Sequence, residues 1–116
     1  MDFGRRTLML STHVLDTSRG GPAAGVNVRL YHVGAERTEL ARGTTDVDGR
    51  IAAPFGGTLA SGWYELVFAV GAYFASAGSA TFYDEIPVRF RVDVGEERYH
   101  VPLLISPWAY STYRGS

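Results

Sequence analysis

The stretch that most constrains this chain is its last one. From Tyr99 to Ile105 the residues alternate with a period of two. Tyr99, Val101, Leu103 and Ile105 fall on one face, and His100, Pro102 and Leu104 on the other. Such a comb makes a half-buried strand, because the apolar stripe of a helix recurs roughly every 3.6 residues instead. The first face suits a core, while the second sets one titratable ring in an otherwise apolar row. Ser106-Pro107 breaks the run, since proline cannot donate to a ladder and restrains the residue before it. A second run with Trp108, Tyr110 and Thr112 follows, and Tyr113-Arg114-Gly115-Ser116 is attached to it without a linker. A tail joined directly to a strand is expected to be held in place rather than to fray.

The same period recurs upstream. From Thr7 onward, Leu8, Leu10, Thr12 and Val14 oppose Met9, Ser11, His13 and Leu15, a strand with His13 on the non-core face. Residues 16–25 are a loop rich in Gly, Pro, Ser and Asp. Val26, Val28 and Leu30 oppose Asn27, Arg29 and Tyr31 in a second strand, and residues 38–45 form a third, more polar one. Asp46-Val47-Asp48-Gly49 is a turn with a hairpin signal, after which Arg50 opens a strand reaching about Phe55. Residues 63–70 and 86–94 are further strands, with a helix of about two turns predicted over 72–80 and limited by Gly78. Gly95-Glu96-Glu97 turns into the final pair. About eight short strands and one short helix in 116 residues predict a single all-β domain over 1–116, an antiparallel β-sandwich.

Composition narrows the chemistry. All eleven basic residues are Arg, so a lysine Schiff base or lysine general base is excluded. With no Cys, thiol nucleophiles, disulfides and thiolate metal sites are excluded too, and a cytoplasmic location is expected. A formal net charge of -1 gives no electrostatic case for nucleic acid or an anionic membrane. No apolar run approaches membrane-spanning length, and Arg5-Arg6 is not followed by an apolar segment of secretory length.

Three histidines remain, His13, His32 and His100. If the strands of His13 and His100 are neighbours, the two rings share one exposed face. Such a pair could share a proton and activate a water near neutral pH, or bind Zn²⁺ with a third ligand. On the residues alone, two ordinary surface imidazoles are the plainer reading, and His32 is expected to face solvent. Arg50 reads most simply as a solvated cation beside Asp46 and Asp48. Functionally it is a fork that could pair with a planar polar substrate. The Asp46-to-Gly49 turn lacks the downstream ligands of a calcium loop. Asp16 points away from His13 and reads as structural.

Three separated segments resemble the 5-hydroxyisourate hydrolases, the enzymatic branch of the transthyretin family. They are Leu10-Ser11-Thr12-His13-Val14-Leu15-Asp16 with Gly21-Pro22-Ala23-Ala24-Gly25-Val26, then Thr44-Thr45-Asp46-Val47-Asp48-Gly49-Arg50, then residues 99–116. The resemblance implies an eight-stranded prealbumin-like sandwich with one short helix, assembled as a homotetramer. It implies hydrolysis of 5-hydroxyisourate to 2-oxo-4-hydroxy-4-carboxy-5-ureidoimidazoline in urate degradation, by a His-activated water without metal or other cofactor. It implies that His13, Arg50 and His100 are catalytic and that Tyr113, Arg114, Gly115 and Ser116 bind substrate and close the site. The hormone-carrying branch of the family has Lys, Glu and Thr where this chain has His13, Arg50 and Tyr113. Trp108-Ala109 departs from the hydrolase pattern, which often has Tyr and a small residue there. The alternative reading is a non-catalytic transthyretin-like binding or interaction module.

Overall fold

The computed structural model describes residues 9–93 and 98–115. Thr7 and Leu8 at the start of the first expected strand, the turn expected at Gly95-Glu96-Glu97 and Ser116 lie outside the described residues. Nine strands and one helix are described: β1 (Met9–Asp16), β2 (Gly21–Pro22), β3 (Asn27–Val33), β4 (Arg37–Thr44), β5 (Arg50–Ile51), β6 (Gly62–Phe68), α1 (Val70–Ser76), β7 (Ile86–Val92), β8 (Arg98–Ile105) and β9 (Tyr110–Thr112). The ninth strand, beyond the eight expected, is the two-residue β2, which pairs with the end of β1. One sheet runs β2-β1-β8-β9 with β5 also on β1, and the other runs β4-β3-β6-β7.

The alternating residues explain the layers. In β1 the burial alternates strictly, Leu10, Thr12, Val14 and Asp16 buried and Met9, Ser11, His13 and Leu15 half-buried. In β8 Tyr99, Val101, Leu103 and Ile105 point inward, as the sequence requires. These residues meet Leu30, Tyr64, Leu66, Phe68 and Ile86 of the facing sheet in one core. Each such side chain contributes roughly 1.5–3 kcal/mol on burial. Pro102, expected on the wet face of β8, is also buried within the single chain.

Two features depart from the sequence reading. The sandwich is not wholly antiparallel, because β1 and β8 run parallel over eight residue pairs. The Asp46-to-Gly49 turn does not make a β4–β5 hairpin, since β5 pairs with β1 in the other sheet. Asp46 builds that turn by accepting the Asp48 and Arg50 backbone N–H groups on Oδ1 at 2.9 and 3.0 Å. Gly49 takes φ +76°, and a Cβ there would lie 2.4 Å from the Val14 carbonyl oxygen. The turn therefore passes the chain between sheets against the back of β1 and delivers Arg50 to it.

The helix starts two residues earlier than predicted. Val70, Tyr73 and Phe74 are buried at i, i+3 and i+4, so Val70 belongs to a helical stripe rather than to the preceding strand. It ends with Gly78 at φ +75° and bonds from Ser79 N–H to the Phe74 carbonyl (2.9 Å) and Gly78 N–H to the Ala75 carbonyl (3.0 Å). His32, expected in solvent, is half-buried and packs edge-on to Tyr64 with ring centroids 5.3 Å apart. Among the described residues no helix is long and apolar enough to cross a membrane.

Candidate active site

Strand pairing writes the site as two short rows on the outer face of the five-stranded sheet. In the first row Arg50 of β5 lies opposite His13 of β1, and His13 lies opposite Pro102 of β8. In the second, Ser11 of β1 lies opposite His100 of β8, and His100 lies opposite Gly115 of the tail. His13 and His100 are therefore diagonal neighbours on adjacent strands. Strand spacing and rise put their backbones roughly 8 Å apart, room for a small planar molecule or a water between the rings.

His100 is the most closely held of these side chains. Its Nδ1 is 2.8 Å from Ser11 Oγ. Its carbonyl accepts the Gly115 N–H at 2.8 Å, which keeps the β8–β9 register across Pro102. A Cβ added to Gly115 would come within 2.6 Å of His100 Cδ2, so the tail passes the ring at a distance that only glycine allows. Burial lowers the pKa of His100 below the ordinary histidine value of 6.5, and the charges of His13 and Arg50 push the same way. The shift favours the neutral ring, the form in which imidazole accepts a proton.

The remaining sequence-predicted residues divide. An open hollow of about 490 Å³ is lined by Ser11, Arg50, Ile51, Arg98 and His100, among others. His13 shares the face but is not in that lining. Tyr113 and Arg114 line a different hollow, of about 410 Å³, between the tail and β7, with Phe90, Arg89 and Arg91. The Arg114 guanidinium sits 4.7 Å from the Tyr99 ring centroid. Of the expected tail residues Gly115 lies directly against His100, and Ser116 lies outside the described residues. Among the described residues no group of three or more His, Asp or Glu could hold a metal ion.

Ser11 was the residue that sequence reasoning missed. Alternation put it on the face of His13, but only the β1–β8 register shows which ring it meets.

The family model described as HIUase/Transthyretin family matches residues 10–115, a span that contains both rows. The chain belongs to the HIUase/transthyretin family. A 5-hydroxyisourate hydrolase of Deinococcus radiodurans is 50% identical over 113 residues, covering 92% of this chain and 95% of its own. The structure of Klebsiella pneumoniae 5-hydroxyisourate hydrolase superimposes with a TM-score of 0.85 at 42% identity, covering 95% of this chain and 100% of that one. The other branch is structurally as near: sea bream transthyretin in complex with thyroxine gives a TM-score of 0.83 at 28% identity, covering 91% and 93%. Fold alone thus does not separate the two branches of the HIUase/transthyretin family, and the side chains of the two rows must.

Proposed function

We propose that this protein hydrolyses 5-hydroxyisourate. The observation that carries the reading is the gathering of Arg50, His13 and His100 on one sheet face, together with the close identity to 5-hydroxyisourate hydrolases. The substrate is small, planar and rich in carbonyl and N–H groups. Arg50 pairs with it through its fork of N–H donors and stabilises charge developing on the attacked carbonyl oxygen. A neutral imidazole takes a proton from water, the resulting hydroxide adds to the ring carbonyl carbon, and the carbon–nitrogen bond breaks. The proton passes to the departing nitrogen, and the product carries a new carboxylate. The second imidazole relays that proton.

In this proposal the chain works as a homotetramer in the cytoplasm. Half-buried Met9, Leu15 and Leu104 give the site face an apolar component that a facing subunit would cover. Tyr113, Arg114, Gly115 and Ser116 bind substrate and close the site, with Gly115 setting the distance to His100. The reaction needs no metal. The test is to follow freshly made 5-hydroxyisourate spectroscopically, with and without chelator. Acceleration over spontaneous decay, insensitive to chelator, is expected. No acceleration would leave the non-catalytic binding module, and loss to chelator with recovery on Zn²⁺ would replace the mechanism.

A further inference from the structure

Two imidazoles stand in the site, and nothing so far says which nitrogen of which ring does the work. We propose that Ser11 is a positioning residue for the hydrolysis argued above: its hydroxyl keeps the hydrogen of His100 on Nδ1, leaving Nε2 as the nitrogen that takes the proton of the attacking water. This rests on the proposed function.

The contact is built rather than incidental. Ser11 and His100 are directly opposed in the parallel ladder, and Oγ reaches Nδ1 at 2.8 Å. Both ends are anchored from behind. Next to Ser11, the buried Thr12 hydroxyl donates to the Val101 carbonyl at 2.7 Å, tying β1 to β8 on the core side. At His100, the Gly115 N–H bond fixes the backbone from the other strand edge. A serine hydroxyl has one torsion between it and the main chain, so with both strands pinned the Oγ has little freedom to leave Nδ1.

The hydroxyl can act in either direction, and the surroundings choose. Hydrogen bonding with the Ser11 backbone favours a proton on the ring. Ser11 Oγ itself stands on the Nδ1 side at 2.8 Å, so the hydrogen bond that orients the ring is made at Nδ1. On the opposite side the tail leaves the ring open, because Gly115 has no Cβ to crowd Cδ2, the atom beside Nε2. Among the described residues, the charged and titratable groups facing the ring are His13 from β1, Arg50 from β5 and Arg98 along β8. All are basic, which disfavours a second proton on His100 and keeps its free lone pair available. A ring held by one nitrogen and open at the other is how a histidine is aimed as a base.

The experiment uses the full chain with ¹⁵N-labelled histidine, in wild type, Ser11→Ala and Ser11→Thr, with His100→Asn to assign the signals. Ring ¹⁵N shifts at a pH where the ring is neutral report the tautomer, independently of turnover. Wild type should show hydrogen on Nδ1. Ser11→Ala should show a mixture, with kcat lowered about tenfold, as for loss of one hydrogen bond to a reacting group, and KM little changed. Ser11→Thr keeps the hydroxyl and should restore both tautomer and most of kcat. Hydrogen on Nε2 in an active wild type would overturn the proposal, as would Ser11→Ala with unchanged tautomer and kcat. If wild type hydrolyses nothing, the function proposed above fails and the assignment of a base falls with it, a result distinct from a reversed tautomer in a working enzyme.

Discussion

The two sheets share one core but finish their outer faces differently. On the four-stranded sheet, charges are settled within the chain. Glu65 of β6, only 5% exposed, receives Arg37 at 3.3 Å from β4, two strands away, and Arg89 at 3.1 Å from neighbouring β7. Arg29 pairs with Glu85, Arg42 with Glu39 at 2.8 Å and Arg91 with Asp93 at 3.0 Å. Arg37 also lies over the Tyr31 ring at 3.8 Å. On the five-stranded sheet, His13, Arg50 and His100 share a face, and among the described residues none of them makes an ion pair. One face has its charges paired within the chain, whereas on the other His13, Arg50 and His100 have no carboxylate partner among the described residues. The difference teaches where binding free energy is available: guanidinium groups already satisfied by carboxylates have little left to offer a ligand, and unsatisfied ones have most of it.

The sharpest way to break that comparison is at the histidines. His100→Asn should lower kcat by about 10²–10⁴-fold, the range of a general base, while melting temperature and oligomer size hold. His13→Asn leaves His100 but removes one of the charges that depress its pKa. Protonation inactivates a base, so wild-type activity should fall as pH drops through a midpoint below 6.5, the ordinary histidine value. In His13→Asn the midpoint of the remaining activity should move upward. A pH–rate profile with an unmoved limb would separate the two rings and end the shared-site idea.

A smaller activity effect is expected at the tail. Deleting Arg114-Gly115-Ser116 should cut kcat/KM by at least about tenfold, or about 1.4 kcal/mol, with little change in melting temperature. Normal hydrolysis by a truncated protein that melts much lower would make the tail a strap on Tyr99 instead.

Stability should respond at a different carboxylate, Asp16. It is 3% exposed at the end of β1, accepting hydrogen bonds from Ser18 N–H and, at 2.8 Å, from the Tyr73 hydroxyl. Burial by itself raises its pKa, but the bonds from Ser18 and Tyr73 bring it below the ordinary 3.8. A depressed carboxyl stabilises the fold above its unfolded pKa and loses that contribution as pH falls through the folded one. Asp16→Asn should therefore cost about 2 kcal/mol at neutral pH, and the gap to wild type should close in strong acid. Urea unfolding at several pH values measures it.

The smallest effect should come from the face whose charges are paired. Glu65→Gln leaves two arginines that are about half exposed and can turn to water, so the loss should be about 1 kcal/mol, with no change in kcat. A fall in activity there would mean that the two faces are coupled.

Much of this was legible in the residues. Alternation placed His13 and His100 on non-core faces, and their burial patterns agree. The strand pairing was not legible, since the period of a strand says which face a side chain takes but nothing of its neighbour. Hence Arg50 looked like a hairpin cation beside its own aspartates, when the turn hands it across to His13. Hence also Ser11, an ordinary polar residue in sequence, turned out to be opposite His100. Val70 was misplaced because one apolar residue fits the end of a strand and the start of a helix equally well. Glu65 was likewise invisible as a buried charge until both flanking arginines were in place.

The parallel pairing of β1 with β8 also has a consequence in time. Ser11 and His100 stand 89 positions apart, and Gly115 follows later still. During synthesis β1 is made first, and its long edge has no β8 to dock on until nearly all of the chain has left the ribosome. Long-range pairing of this kind is slow, because a large loop must close before any contact rewards it. The four-stranded sheet, whose neighbours lie closer in sequence, can order itself sooner. The proposed site is therefore the last part of the fold to be completed: a nascent or clipped chain lacking β8 has neither His100 nor the strand that Ser11 faces.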